Sequence, residues 1–308
     1  MRQRNCPLCG CREAETLFLL EAAEFCSTNW TYRQDFRDLL SLPERAEFPI
    51  VQCRDCSFVY ALFLPDDDFL RCVYEQVIRQ EDCVAGSENR DSYSNRLRYL
   101  ATLLALAPEE PRALDFGSGA GVSSRILAAC DAQVTAYEPS AGRCEYAKTR
   151  NIQVVTSIAE VRSHAPYSIV ILDNVLEHVP EPRSTMRLIR EVLADGAFVY
   201  VSVPSYEPRS LARQLNAHLR GEALDMTINP WEHLNYFSLT HLDLLMGEAG
   251  LSRLRAADLP EQPPIGLRPE KSFLGRSKNS AASIVRLARY ICKSEALAST
   301  ERAFYRAG

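Results

Sequence analysis

The sequence has no long apolar run and no excess of positive charge, and each absence removes a class of function. No window approaches the roughly 18 uninterrupted apolar residues of a membrane-crossing helix. Met1-Arg2-Gln3-Arg4-Asn5 runs into Cys6 without the apolar core of a signal peptide. The expected compartment is therefore the cytoplasm, with thiols kept reduced. Lys and Arg number 35 against 40 Asp and Glu, a formal net charge of -5. That balance gives no global attraction to nucleic acid or an anionic membrane, so a nucleic-acid partner is not expected. Internal repeats are also lacking. What is present is 46% apolar and 24% charged residues over 308 positions, the composition of a soluble globular protein longer than one average domain. One large core with a smaller appendage is expected.

Eleven cysteines are the first positive signal, and in a reducing compartment clustered cysteines point to metal before disulfide. Two Cys-x-x-Cys pairs, Cys6/Cys9 and Cys53/Cys56, each have the spacing of a tight knuckle whose two thiolates reach one ion. Four such thiolates make a closed tetrahedral shell for structural Zn2+, with no open position for catalysis. Cys11 and Cys26 are alternative ligands. Residues 1–70 thus read as a small zinc-binding, ribbon-like domain, too small to bury an adequate core without the metal. A strand over 57–64 closes it before Pro65-Asp66-Asp67-Asp68.

Residues 71–260 carry a different pattern. Apolar positions at helical spacing predict a helix over 92–107. Strands follow at 113–116, 133–137, 152–155, 168–172 and 196–203, with helices at 122–130, 141–150, 183–193 and 239–248 and a further strand from Leu251. Apolar strands alternating with helices predict an α/β, Rossmann-like, doubly wound sheet. Residues 261–308 read as a basic tail with nine Lys and Arg, in which Ile284, Leu287, Ala288 and Ile291 form one face of a predicted helix.

Between the first of these strands and its helix lies Leu114-Asp115-Phe116-Gly117-Ser118-Gly119-Ala120-Gly121. Alternating glycines let backbone approach a ligand closely, and the next helix offers free N–H groups, so a nucleotide-like cofactor is implied. A dinucleotide fingerprint would need glycine at Val122, which weakens a nicotinamide or flavin reading. Seventeen residues after Gly121, the second strand ends in Glu138, placed to accept bonds from both hydroxyls of a ribose.

This loop, the acid closing the second strand, and Ile171-Leu172-Asp173-Asn174-Val175-Leu176-Glu177-His178-Val179 resemble the class I S-adenosylmethionine-dependent methyltransferases. Trp231-Glu232-His233-Leu234-Asn235-Tyr236-Phe237-Ser238 is similar to the small-molecule branch with ubiquinone-pathway and glycan-cluster enzymes. The resemblance implies that S-adenosyl-L-methionine is the cofactor. It implies that Asp115, Gly117, Gly119 and Gly121 hold the methionyl end, Glu138 the ribose and Pro139 the adenine side, with Asp173, Asn174 and Leu176 along its border. The family usually has an acid after the third strand; here Thr156-Ser157-Ile158-Ala159 stands there, leaving backbone or Ser157 as the substitute.

Transfer of an already activated methyl needs mainly alignment and exclusion of water, and a base where the acceptor is a hydroxyl or an enolisable carbon. His178 and His233, at predicted strand-end and loop positions, are the candidate bases. The implied activity is methylation of a hydroxyl, or less readily a carbon, of a sugar, nucleotide sugar or other small metabolite. The Cys-rich head resembles that of sugar C-methyltransferases, which carry a second large domain where this chain has a short tail. Two alternatives stay open: a zinc-headed ribosomal RNA base methyltransferase, and a non-catalytic protein that binds S-adenosylmethionine or docks a partner.

Overall fold

The computed structural model describes residues 2–21, 41, 46–78, 90–148, 153–222, 228–260 and 300–308. Strand β1 (Arg2–Gln3) pairs with β5 (Phe63–Leu64), while β2 (Ala14–Glu21), β3 (Glu47–Cys53) and β4 (Val59–Ala61) form an antiparallel meander. The strand expected over 57–64 is thus interrupted: Ser57 is left-handed, at φ 61°, and Leu62 separates two short strands. Asp66 caps helix α1 (Asp67–Cys72) by accepting from the Phe69 N–H, and a π-turn, Val73–Val77, follows. Residues that read as a break are therefore a helix start.

Helix α2 (Arg90–Leu106) leads into β6 (Arg112–Phe116), α3 (Val122–Ala128), β7 (Gln133–Tyr137), α4 (Ala141–Lys148), β8 (Val154–Val155) and α5 (Ile158–Ser163). Then come β9 (Tyr167–Asp173), α6 (Pro182–Val192), β10 (Leu193–Pro204), α7 (Pro208–Leu219), β11 (Asn235–Tyr236), α8 (Leu239–Glu248), β12 (Leu251–Arg253) and β13 (Thr300–Ala307). The main sheet has the order β12-β13-β10-β9-β6-β7-β8, with β6 to β10 parallel and β13 antiparallel to both its neighbours.

The central strands are largely apolar because both faces are covered. On β9, Ile169 and Ile171 pack with Leu100 and Leu103 of α2 and Ile126 of α3, whereas Val170 and Leu172 pack with Ile189 of α6 and Leu242 of α8. The winding reverses between β6 and β9, and the loops after these strands open at the sheet's C-terminal edge, where ligands of doubly wound sheets bind.

Strand pairing crosses two of the expected boundaries. The tail over 261–308 is not one appendage, because β13 occupies a place within the sheet, with Thr300 opposite Pro204 and Arg306 opposite Phe198. The helix expected near 284–291 lies outside the described residues. The head, expected as a domain over 1–70, shares a sheet with the rest, since β4 pairs with β11. Cys6, Leu8, Phe58 and Tyr60 belong to the same buried cluster as Leu172, Phe237 and Leu242.

Candidate functional site

The glycine loop lies between β6 and α3, with Gly117, Gly119 and Gly121 at φ 75°, 54° and 69°. At Gly117 a side chain is excluded twice, by this left-handed backbone and by Val175, whose Cγ2 would lie 2.8 Å from a Cβ. The N–H groups of Gly117 and Ser118 both donate to the Tyr137 carbonyl, which ties the loop to the end of β7. Glu138 follows at once. It is buried, with Oε2 accepting from the Gly119 N–H at 2.8 Å and Oε1 from the Ser140 N–H at 2.9 Å. A carboxylate has about four lone-pair positions, so each oxygen keeps one for a ligand hydroxyl. The buried hydroxyls of Ser118 and Ser140 have no hydrogen-bond partner among the described residues. A bare glycine cradle, a part-used carboxylate and two unsatisfied hydroxyls fit a polyhydroxylated, nucleoside-like group.

Asp115 ends β6 nearly sealed, at 3% exposure, with Oδ2 accepting from Ser124 Oγ at 2.6 Å. Burial, with Asp173 nearby, raises its carboxyl to about 6 against the opposing bond from Ser124. Asp173 ends β9; Ser202 donates to its Oδ1 at 2.7 Å and Tyr99 to its Oδ2 at 3.0 Å, with Arg96 at 3.5 Å. Asn174, left-handed at φ 56°, is exposed beside it, and Leu176 is buried. Pro139 is exposed after Glu138. Ser157 follows β8, but its hydroxyl is engaged in a capping box with Glu160 at the start of α5. Sequence reasoning missed Tyr99, Arg96, Ser124 and Ser202, which position the two aspartates. Only the Ser157-x-x-Glu160 cap had a readable signature.

His178 and His233 are brought together, their ring centroids 4.7 Å apart. Asn235 does this: its Nδ2 donates to the Leu176 and Val179 carbonyls at 2.9 and 2.7 Å, while the N–H groups of Leu234 and Asn235 donate to the Glu177 carbonyl. The N-terminal head reinforces the seam through buried Arg4, which donates to the carbonyls of Ala61, Pro180 and Leu234 and to Asn235 Oδ1. His178 Nδ1 lies 2.9 Å from the Glu232 carbonyl and 3.1 Å from the Tyr74 hydroxyl. Burial, with His233 alongside, holds the His178 imidazole well below its ordinary range and hence neutral. Burial likewise holds the Glu177 carboxyl well above its own range.

The four cysteines also converge. The Sγ atoms of Cys6 and Cys56 are 3.7 Å apart and those of Cys9 and Cys53 3.5 Å, with all four within 4.8 Å. A disulfide needs about 2.05 Å, whereas bonds of about 2.3 Å to a tetrahedral ion put sulfurs about 3.8 Å apart. Each knuckle closes on a left-handed residue just after its second cysteine, Gly10 at φ 82° and Ser57 at φ 61°. Burial raises Cys6 to about 12; at Cys53 burial is outweighed by the N–H groups of Cys56 and Asp55, and the thiol falls to about 7. Cys11 stays out of the cluster, bonded with Glu13, and Cys26 lies outside the described residues.

Among the described residues no helix is long and apolar enough to cross a membrane. The family described as "methyltransferase domain" matches residues 88–255, more than half of the chain. The ubiquinone biosynthesis O-methyltransferases of Marinobacter nauticus and Nitrosospira multiformis are each 30% identical, over 126 and 125 residues. Each match covers 37% of this chain and 52% or 51% of the relative, so the chain spans about half the length of the curated relatives it matches. The plantazolicin methyltransferase BamL, solved with a desmethylPZN analog and SAH, superposes with a TM-score of 0.51 at 14% identity, covering 74% of this chain and 90% of that one. Magnesium protoporphyrin IX methyltransferase of Synechocystis PCC 6803, with bound SAH, gives 0.50 at 13% identity, covering 79% and 100%. These structures share the fold, and with the match over residues 88–255 the chain belongs to the methyltransferase-domain family.

Proposed function

We propose that the chain is an S-adenosylmethionine-dependent methyltransferase acting on a hydroxyl, less readily a carbon, of a small metabolite such as a sugar or nucleotide sugar. The observation that carries this reading is the Glu138 carboxylate, held by the Gly119 and Ser140 N–H groups beside a left-handed glycine loop. Glu138 would accept the ribose hydroxyls, Gly117, Gly119 and Gly121 would admit the methionyl end, and Pro139, Asn174 and Leu176 would flank the adenosyl part. Asp115 and Asp173 fix the loop ends. Ser157 contributes from its backbone, its hydroxyl being spent on the helix cap.

When bound, the cofactor supplies a sulfonium-activated methyl, so the protein's work is alignment and removal of the acceptor proton. His178 or His233 would accept that proton. The names of the curated relatives, all O-methyltransferases among those matched above, support a hydroxyl acceptor. The four thiols hold structural Zn2+, an assignment supported by sulfur spacings close to a tetrahedral edge.

Calorimetry with S-adenosylmethionine tests the cofactor half: wild type binds and Glu138→Ala loses at least about tenfold in affinity, as expected where a charged acceptor loses two hydroxyl partners. Absence of binding by the wild type sinks the proposal. Incubation of metabolite extracts with methyl-labelled cofactor, read by mass spectrometry, tests the other half. Label in a sugar or other small hydroxyl compound supports it, and label confined to RNA overturns it.

A further inference from the structure

Between the first cysteine knuckle and the start of helix α6 lies a cavity of about 410 Å³ whose lining includes none of the cofactor-site residues. Arg2 and Arg4 of the head and Arg183 and Arg187 of α6 line it, with Glu181 as its one carboxylate. We propose that this cavity binds a phosphoryl group, and that the group is the phosphate or diphosphate of the methyl acceptor. The anion site stands on the cavity alone; its assignment to the acceptor rests on the methyltransferase reading.

Charge is the first support. The chain has a formal net charge of -5, yet four guanidinium groups surround this cavity against a single carboxylate. That carboxylate is weakly engaged: Arg2 meets Glu181 at 3.9 Å, with the two side chains 76% and 56% exposed. Arg187 makes no ion pair among the described residues; its Nε and Nη2 rest on the Arg183 carbonyl at 3.4 Å and on Ser184 Oγ at 3.5 Å. Arg183 pairs at 2.8 Å with Glu248, which does not line the cavity. Arg4 donates to three carbonyls and to Asn235, so it contributes mainly charge. Guanidinium groups in this number match the forked geometry of phosphate oxygens.

The start of α6 is the second support. Its first turn holds no acidic residue, and Glu181 at the N-cap makes no side-chain capping bond. Arg183 and Arg187 stand one turn apart near the positive end of the helix dipole, where two cations repel each other and are disfavoured by the helix itself. An anion between them turns both repulsions into attractions.

Position is the third. Helix α6 follows β9, so its start lies at the C-terminal edge of the sheet, the edge that carries the glycine loop. Glu181 is three residues beyond His178, a path of at most about 10 Å. Arg4 joins the cavity to that seam by donating to the carbonyls of Pro180 and of Leu234, the neighbour of His233. A small acceptor seated at the two histidines can therefore extend a phosphoryl group into the cavity, whose volume is in the range of small-molecule sites. Contacts to this non-reacting group would hold the hydroxyl in line with the methyl, so phosphorylated sugars would be selected over neutral ones.

The test uses the full chain, kept in zinc, with pyrophosphate as the probe. Calorimetry should show one equivalent bound, more weakly as salt rises. The double variant Arg183→Gln/Arg187→Gln should lose at least tenfold in pyrophosphate affinity. Glu181→Gln, which removes the opposing carboxylate, should gain severalfold. Thermal melting and S-adenosylmethionine affinity should stay near wild type in both, and the opposite signs separate a charge effect from a folding defect. Wild type that binds no pyrophosphate, or variants that bind it as wild type does, overturns the site. For the acceptor, metabolite extracts are treated with phosphatase and nucleotide pyrophosphatase before incubation with methyl-labelled cofactor. Label transfer should fall at least tenfold, and with untreated extract the double variant should need more acceptor for the same rate. Undiminished transfer to the treated extract, or an RNA oligonucleotide that displaces pyrophosphate and is itself methylated, overturns the acceptor assignment. Retained S-adenosylmethionine binding in any of these events leaves the cofactor reading standing.

Discussion

Asp115 is the residue whose chemistry most depends on its surroundings. Its place in the glycine motif is visible from sequence, but its burial, the 2.6 Å bond from Ser124 and the nearness of Asp173 are not, because they join three separate segments. Burial raises the carboxyl from 3.8 to about 6 in the folded chain. A raised folded pKa means that the protonated form favours folding. The associated stability is complete below 3.8 and is lost as pH rises through 6, and by linkage it amounts to about 3 kcal/mol for a shift from 3.8 to about 6. Asp115→Asn keeps an oxygen for Ser124 but cannot ionise. Cofactor-free wild type should therefore lose stability between about pH 4 and pH 6.5 by a step that the variant lacks. Parallel melting curves for the two proteins across that interval would refute the assignment.

At the scale of elements, the proposed acceptor side is made by two loops that sequence places more than fifty residues apart. Both were legible as motifs, and His178 and His233 with them, but their contact was not. It depends on Asn235, whose side chain donates to the Leu176 and Val179 carbonyls while its own N–H and that of Leu234 donate to the Glu177 carbonyl. Asn235→Ala deletes three side-chain bonds, two donated to the Leu176 and Val179 carbonyls and one accepted from Arg4, and leaves those two carbonyls short of a donor. The cost is about 1–3 kcal/mol, concentrated at the seam. Turnover should fall about tenfold or more, because small misplacements of catalytic groups are expensive. S-adenosylmethionine affinity should change little, since Glu138 and the glycine loop lie elsewhere. An equal loss in both quantities would show that the seam also supports the cofactor side. The parallel strands β6, β7, β9 and β10 were legible because burial on both faces writes continuous apolar runs. The six-residue helix α5 was not, its only cue being a cap, and β2 and β3 were hidden in a stretch whose polar residues broke the alternation.

At the scale of the whole molecule, β13 and the cysteine head show the same limitation, since both acquire meaning only from distant partners. Glu301, Arg302 and Arg306 gave the last segment the look of a solvated tail, yet Ala303, Tyr305 and Ala307 alternate into the core between β10 and β12. The head read as a separate unit because its cysteine spacing predicts a metal site by itself. In the fold, Phe58 lies 4.9 Å from Phe237 and 5.2 Å from His241, and His241 Nε2 bonds the Cys56 carbonyl at 3.0 Å. Helix α8 therefore packs on the second cysteine knuckle, and Arg4 ties the first strand to the loops that carry Glu177 and His233. Energy lost at the cysteines should be felt by the main sheet. Removal of zinc with a chelator, or Cys53→Ser, should lower a single calorimetric transition by roughly 10 °C, as several kcal/mol of metal-linked folding energy would in a chain of this size. Two resolved transitions, with the upper one unmoved by chelation, would mean that the head folds by itself and that the shared core contributes little. A single shifted transition, with turnover falling before cofactor affinity, would make the cysteine knuckle the foundation on which the proposed acceptor side of the site is built.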